Sequence, residues 1–171
     1  PDLLQRFLPW PLASFDRART LEISWERAWN SVTQSAFNQF SEPFDDLWHG
    51  SRQWEVPSLI FNMTSVEHGN RVLMSNLQTH RAYRPNMCLE AFTGQARGIF
   101  DDVIDLREAM NAYRCNMAAA TSSSVTVRLS TAINNSARFS FISPAGTVNE
   151  RLHIVDGGYF EDSGTTTLEE V

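Results

Sequence analysis

The chain has 171 residues, enough for one domain with a sizeable core, and carries a net charge of −6. This acidic balance argues against a nucleic-acid binder, which needs a basic face to neutralise phosphates. No run of residues approaches the length and apolarity of a membrane span, so we expect a soluble segment located in the cytoplasm or at a membrane surface.

The cysteines and histidines favour neither a disulfide framework nor a metal site. Cys88 and Cys115 are too few for such a framework and do not have metal-ligand spacing. The four histidines are scattered, with no pair four residues apart on a helix. We therefore predict no metal and no cofactor.

The first strong pattern along the chain is an amphipathic helix from Asp16 to about Phe40. Its apolar residues recur at three- and four-residue steps, at Leu21, Trp25, Ala28, Trp29, Val32 and Ala36. We expect this stripe to pack onto a core, with contact between its tryptophans and a membrane as the alternative. A short helix is predicted from Pro43 to Trp48, so residues 1–56 form a helical lead-in or insertion.

Short strands and helices then alternate. Strands are predicted over Pro57–Thr64 and Val72–Met74, joined by a polar turn, and helices over Ile99–Ala112 and Val125–Phe139. This order favours an α/β layered fold with a largely parallel sheet, and residues 57–171 form one piece of a domain.

The segment from His153 to Gly164 carries the most information. Leu152, Ile154 and Asp156 alternate with their neighbours, which predicts a buried strand that delivers a carboxylate into the turn at Gly157 and Gly158. Glycines at such a strand end permit close approach of backbone or substrate. The aspartate is then either a catalytic group or a turn former that bonds nearby amides.

These residues carry a family resemblance. The residues 129–146, together with Val155–Gly164, resemble the C-terminal part of bacterial patatin-like phospholipases. The strand and turn from Pro57 to Gly69 fit that family too, so the resemblance covers residues 57–171. It implies a three-layer α/β/α fold, present here as a partial C-terminal segment after an N-terminal helical elaboration. The first residue, Pro1, and the helix start at Thr165 favour a segment truncated at both ends.

The resemblance also implies a function. Patatin-like enzymes are lipid acyl hydrolases with a Ser-Asp dyad, and Asp156 matches the dyad aspartate, with Gly157 and Gly158 completing its motif. The nucleophile elbow Gly-x-Ser-x-Gly and a glycine-rich oxyanion loop are absent from the sequence. We therefore expect a parent enzyme that hydrolyses lipid or other esters, with its serine and oxyanion loop outside this chain, and an inactive isolated chain.

Other sites in the same region are less favoured. A triad of His153 and Asp156 fails because residues three apart on a strand point to opposite faces. Glu161 or Asp162 could form a glycosidase-like carboxylate pair with Asp156, but acidic residues beside a turn are usually solvated or cap the next helix.

Three polar residues in the preceding helix have structural interpretations. Ser130 and Ser136 are expected to be packing residues, because neither follows a strand at a sharp elbow. Arg138 suits a phosphate headgroup or an ion pair with a carboxylate, and the ion pair is favoured.

A non-catalytic function is the alternative: a binding or assembly module, peripheral to a membrane, on a patatin-like scaffold. The tryptophans Trp25 and Trp29 would then present a partner surface. In either case, a sheet that lacks its first strands exposes an edge that invites self-association.

Overall fold

The computed structural model describes residues 17–49, 55–77, 103–115, 126–139, 143–149, 152–161 and 163–170. The predicted loops between Arg81 and Gly98, Cys88 and Asp162 lie outside these ranges.

The elements in chain order are α1 (Arg17–Thr33), a 3₁₀ helix (Phe44–Trp48), β1 (Ile60–Ser65), β2 (Arg71–Ser75), β3 (Ile104–Asp105), α2 (Leu106–Cys115), α3 (Leu129–Ser136), β4 (Gly146–Asn149), β5 (Leu152–Asp156), a 3₁₀ turn (Gly157–Tyr159) and α4 (Thr165–Glu170). The chain therefore has a mixed α/β architecture.

The sheet is mixed rather than largely parallel, so that expectation was wrong. Its strand order is β3-β2-β1-β5-β4, and within the described residues only the pairing of β2 with β3 is parallel. Short connections explain two of the three antiparallel pairings, β1 with β2 and β4 with β5, because a parallel pair needs a crossover of a dozen or more residues. A tight turn through Gly69, at φ 69°, joins β1 to β2, and two residues separate β4 from β5.

The core lies mainly on one face of the sheet. Buried side chains of β1, β2 and β5 meet those of α2, α3 and the first 3₁₀ helix in a cluster of Phe44, Met63, Val72, Met74, Leu106, Ala109, Val127, Leu129, Ala132, Leu152 and Ile154. The other face carries a smaller cluster around Leu73 and Val103. Thr167 of α4 bonds to Asn62, which faces that second side by strand alternation, so helices lie on both faces.

Two helices begin later than predicted. Ile104–Asp105 pairs with β2, and the Asp105 carboxylate then accepts hydrogen bonds from the amides of Arg107 and Glu108, at 2.8 and 3.2 Å, which caps α2. The backbone before α3 is held extended, because Val127 and Leu129 bond to the segment at Glu42 to Phe44.

The stripe predicted to face the core in α1 does not. The buried residues of α1 are Ala18 and Glu22, whereas Leu21 is 42% exposed and Val32 is 82% exposed. The inward face is displaced by one residue, about 100° around the helix. The helix also ends at Thr33 rather than Phe40, where Gln34 adopts a positive φ of 50°.

Hydrogen bonds between α1 and α3 explain why the inward face is displaced. The Glu22 carboxylate accepts from Arg19 Nη1 at 2.7 Å, Thr131 Oγ1 at 3.1 Å and Asn134 Nδ2 at 3.2 Å. Glu26 accepts from Arg19 at 3.0 Å and from the Ser130 hydroxyl at 2.9 Å. These residues form the α1–α3 polar network. The bond to Glu22 raises the pKa of the Arg19 guanidinium, more than partial burial lowers it, and Glu26 adds to the effect.

Candidate functional site

Strand β5 places Asp156 at its end, as the alternation predicts. Leu152 and Ile154 are buried in the core, and Asp156 lies opposite Met63 in the pairing with β1. Cross-strand partners point to the same face, so the Asp156 side chain projects on the side that α2 and α3 cover. The residue is half-buried.

Two other elements hold the backbone of Asp156. Its N–H donates to the Arg138 carbonyl, just after α3, at 2.9 Å. Its carbonyl accepts from the Thr64 hydroxyl of β1 at 3.0 Å. The carboxylate is therefore attached to a backbone position that the sheet and the α3 exit both fix.

The carboxylate itself makes a local bond. Asp156 Oδ1 accepts the Gly158 N–H at 2.7 Å, which closes the first turn of the 3₁₀ segment. The interpretation of Asp156 as a turn former is thus confirmed. This bond does not exclude a catalytic role for Asp156, because an ionised carboxylate has about four lone-pair positions and one amide uses only one of them.

The backbone of β1 leaves no room for a side chain at Gly157. A Cβ at this position would lie 2.6 Å from the Asn62 carbonyl oxygen and 2.8 Å from the Asn62 carbonyl carbon. The backbone of β1 cannot move aside as a flexible side chain would. The prediction that this glycine permits close approach of backbone is confirmed, and the neighbour is Asn62.

Asn62 was missed by sequence reasoning, although a polar residue inside the run Ile60–Met63 was a signal. Its carbonyl accepts from the Ser136 hydroxyl at 2.8 Å, and its Oδ1 accepts from Thr167 Oγ1 at 3.0 Å. Asn62 thereby joins β1, α3 and α4 beneath the turn after Asp156.

Arg71 is a second residue that the sequence did not reveal. It is buried in β2 and donates from Nη1 to Thr167 Oγ1 at 3.1 Å. Its guanidinium lies 5.3 Å from the centroid of the Phe160 ring, within the range of a cation–π contact. Arg71 therefore ties the segment after the turn, and α4 beyond it, to the sheet.

Exposed aromatic side chains surround the turn. The rings of Phe139 and Tyr159 stack with centroids 6.1 Å apart and are 48% and 49% exposed. Phe160 is also largely exposed. We call Phe139, Tyr159 and Phe160 the aromatic rim. Because Phe139 follows the residue whose carbonyl binds Asp156, the rim places apolar surface near the carboxylate.

Glu161 acts as a cap. Its Oε1 accepts from the Ser163 hydroxyl, from the Ser163 N–H at 2.9 Å and from the Thr165 N–H at 2.9 Å. These bonds, that of the Ser163 hydroxyl foremost, lower the pKa of Glu161 against a smaller opposing effect of desolvation. The capping interpretation is confirmed for Glu161, and Asp162 lies outside the described residues.

His153 pairs with Glu67 and not with Asp156. His153 Nδ1 lies 2.6 Å from Glu67 Oε1, and the His153 backbone N–H donates to both carboxylate oxygens, at 3.0 and 3.1 Å. Desolvation raises the pKa of Glu67, but the bonds from His153, from the Glu67 amide and from Ser65 together hold it below its usual value. The exclusion of a His153–Asp156 triad is confirmed.

The polar residues of α3 and its exit have structural partners. Ser130 is buried and bonds to Glu26, and the Ser136 hydroxyl bonds to the Asn62 carbonyl, so both serines stabilise packing as predicted. Arg138 is buried and donates to the Pro144 carbonyl at 3.0 Å. Its predicted ion pair with a carboxylate stays a prediction.

The described part of the chain contains no group of three or more His, Cys, Asp or Glu side chains arranged to hold a metal ion. None of its helices combines the length and apolarity needed to cross a bilayer. Comparison with protein-family models, curated proteins and solved structures finds no match to this chain.

Proposed function

We propose that this chain supplies the general base, Asp156, to a serine acyl hydrolase of the patatin-like kind that acts on lipid esters. The observation that carries the proposal is the way Asp156 is held. A buried strand ends at the carboxylate, two elements fix its backbone, and a glycine turn packed on Asn62 leaves it half-exposed. Such a fixed acceptor is what a base for a nucleophile requires.

In the proposed reaction, Asp156 accepts the proton of a serine hydroxyl as the serine oxygen attacks the ester carbonyl. The tetrahedral intermediate collapses to an acyl-serine, and the proton passes from Asp156 to the departing alcohol. Water then attacks the acyl-serine with Asp156 again taking a proton, which returns to the serine as the carboxylic acid leaves. The serine and the oxyanion donors belong to a part of the protein outside this chain.

The bond from the Gly158 N–H gives the carboxylate its direction in this scheme. It holds Oδ1 toward the backbone, so Oδ2 is the oxygen that faces the serine.

The aromatic rim supports lipid over polar esters. Phe139 and Tyr159 offer a half-exposed apolar surface close to the proposed base, where an acyl chain gains by leaving water. The helices on both faces of the sheet agree with a three-layer patatin-like domain that takes in residues 57–171, preceded by the lead-in predicted over residues 1–56.

The test is hydrolysis of 4-nitrophenyl butyrate by the full-length protein and by its Asp156→Asn variant. Asparagine keeps an oxygen to accept the Gly158 N–H, so the turn persists while the base is lost. We expect kcat to fall by about 10²- to 10⁴-fold. Reaction of the serine with a fluorophosphonate probe should slow in parallel.

Asp46→Asn is the matched control, because Asp46 is an exposed carboxylate of the first 3₁₀ helix that pairs with His49. Its rate should equal that of the unmodified protein. Equal rates for Asp156→Asn would remove Asp156 from the reaction, and absence of hydrolysis by the unmodified protein would favour the non-catalytic binding module.

A further inference from the structure

Helix α1 turns an apolar stripe toward solvent. Leu21, Trp25, Ala28 and Val32 follow one another at steps of four, three and four residues, which places them on one line along the helix. Leu21, Ala28 and Val32 are exposed and Trp25 is half-exposed. The α1–α3 polar network fixes this orientation, since Glu22 and Glu26 hold the adjacent face of α1 against α3.

The same network determines which charged residues of α1 are exposed. Both acidic residues of the helix, Glu22 and Glu26, bond to Arg19 and to α3. Arg17 and Arg27 are exposed. The exposed charged residues of α1 are therefore both basic, in a chain whose net charge is −6, and they lie beside the apolar stripe and the exposed polar residues Thr20, Ser24, Asn30 and Ser31.

We propose that this face of α1 docks on a membrane surface that contains anionic phospholipid. A helix with an apolar stripe and exposed arginines lies in the interface plane, with its apolar side chains inserted and its charges at the headgroups. Tryptophan suits the same depth, because one end of its ring system is apolar and the other donates a hydrogen bond.

A lipid surface fits this face better than a second copy of the chain. One stripe of four side chains offers roughly a few hundred Å², below the roughly 800 Å² per partner of a stable protein interface. An interfacial helix needs only its own apolar face, and the basic residues add attraction that the acidic remainder of the chain does not supply. The inference is independent of the role of Asp156.

The experiment is co-sedimentation of the full chain with vesicles of phosphatidylcholine, with and without phosphatidylglycerol. We expect binding to the mixed vesicles that weakens with added salt. The double variant Leu21→Gln with Val32→Gln should lower the partition coefficient by about tenfold or more, because two apolar side chains no longer insert. Arg27→Gln should lower it by about fivefold, the effect of one basic residue near an anionic surface.

Leu168→Gln is the matched control, since Leu168 is 75% exposed but lies on α4. It should bind vesicles as the unmodified chain does. Absence of vesicle binding, or binding that Leu168→Gln abolishes and the α1 variants leave intact, would overturn the proposal. A dimer in sedimentation velocity that the double variant dissociates would also overturn it, in favour of a second copy as the occupant.

Discussion

Two carboxylates in this molecule, Glu22 in α1 and Asp156 at the end of β5, are held in opposite ways. Among the described residues, Glu22 accepts hydrogen bonds from three side chains, those of Arg19, Thr131 and Asn134. The Asp156 carboxylate accepts from one backbone N–H, while its own backbone is what the neighbouring elements fix.

The difference separates a structural carboxylate from one suited to chemistry. The lone pairs of Glu22 are taken up by the contact between two helices, and its removal leaves buried donors without acceptors. Asp156 is positioned through its backbone and keeps acceptor capacity on its side chain. The first arrangement stabilises the fold, and the second presents a base.

The largest expected effect is the loss of stability when the Glu22 carboxylate is removed. Glu22→Ala leaves the Asn134 amide and the Thr131 hydroxyl without their acceptor and takes one of two carboxylates from Arg19, so we expect a loss of about 3 kcal/mol in the free energy of unfolding. Urea denaturation measures it. The neighbouring change Leu21→Ala should cost less than about 0.5 kcal/mol, because Leu21 lies on the solvent side.

The hydrophobic pattern alone predicts the reverse order for this pair. A larger loss for Leu21→Ala than for Glu22→Ala would mean that α1 packs through its apolar stripe after all.

The next largest effect is expected in the turn that follows Asp156, the second carboxylate of the comparison. In Gly157→Ala the new methyl would overlap the Asn62 backbone, with 2.6 Å to its carbonyl oxygen, and we expect a loss of about 2 kcal/mol. Gly69→Ala is the control, because no atom lies within 4 Å of its Cβ position and only its φ of 69° opposes the change. That strain is worth about 1 kcal/mol.

Equal losses for the two glycine variants would show that the turn after Asp156 is free to move from Asn62. Thermal unfolding of both variants, with their hydrolysis rates in the full-length protein, makes the comparison. Gly157→Ala should also slow hydrolysis, because the displaced turn carries Asp156 with it.

Much of the β5 end was predictable because its signals are local. Leu152, Ile154 and Asp156 alternate within five residues, and the glycines follow at once. Two of the antiparallel pairings were open to prediction too, since short connections join β1 to β2 and β4 to β5. The alternation of helices and strands outweighed that signal and led to the wrong sheet.

The displaced inward face of α1 was not predictable from periodicity. Glu22 is buried and Glu26 half-buried because both bond to side chains of α3, which lie between 104 and 112 residues further along the chain. Asn62 is similar, since its partners Ser136 and Thr167 are 74 and 105 residues away. Hydrophobic periodicity shows where the apolar side chains of a helix lie, but it contains no information about distant hydrogen-bond partners.

The smallest expected effect lies at the other end of β5, where Glu67 combines both means of holding a carboxylate. It accepts from the His153 side chain and from the His153 backbone. Because the folded pKa of Glu67 is held below its ordinary value of 4.5, its stabilisation is present above that pH and is lost as the pH falls through the folded pKa. For a pair this near the surface we expect no more than about 1 kcal/mol.

Glu67→Gln should therefore lower the free energy of unfolding at pH 7. The difference from the unmodified chain should shrink as the pH falls through the folded pKa of Glu67, because the protonated carboxyl is neutral like the glutamine that replaces it. Glu55→Gln, which changes an exposed carboxylate elsewhere, should show little difference at neutral or acid pH. If the Glu67→Gln deficit persisted in acid, packing of the His153 ring rather than the ionised carboxylate would account for it. If the deficit instead disappears in acid as expected, the charge of the Glu67 carboxylate holds the His153 end of β5. Hydrogen bonds and packing hold the backbone at Asp156, where the carboxylate keeps its acceptor capacity.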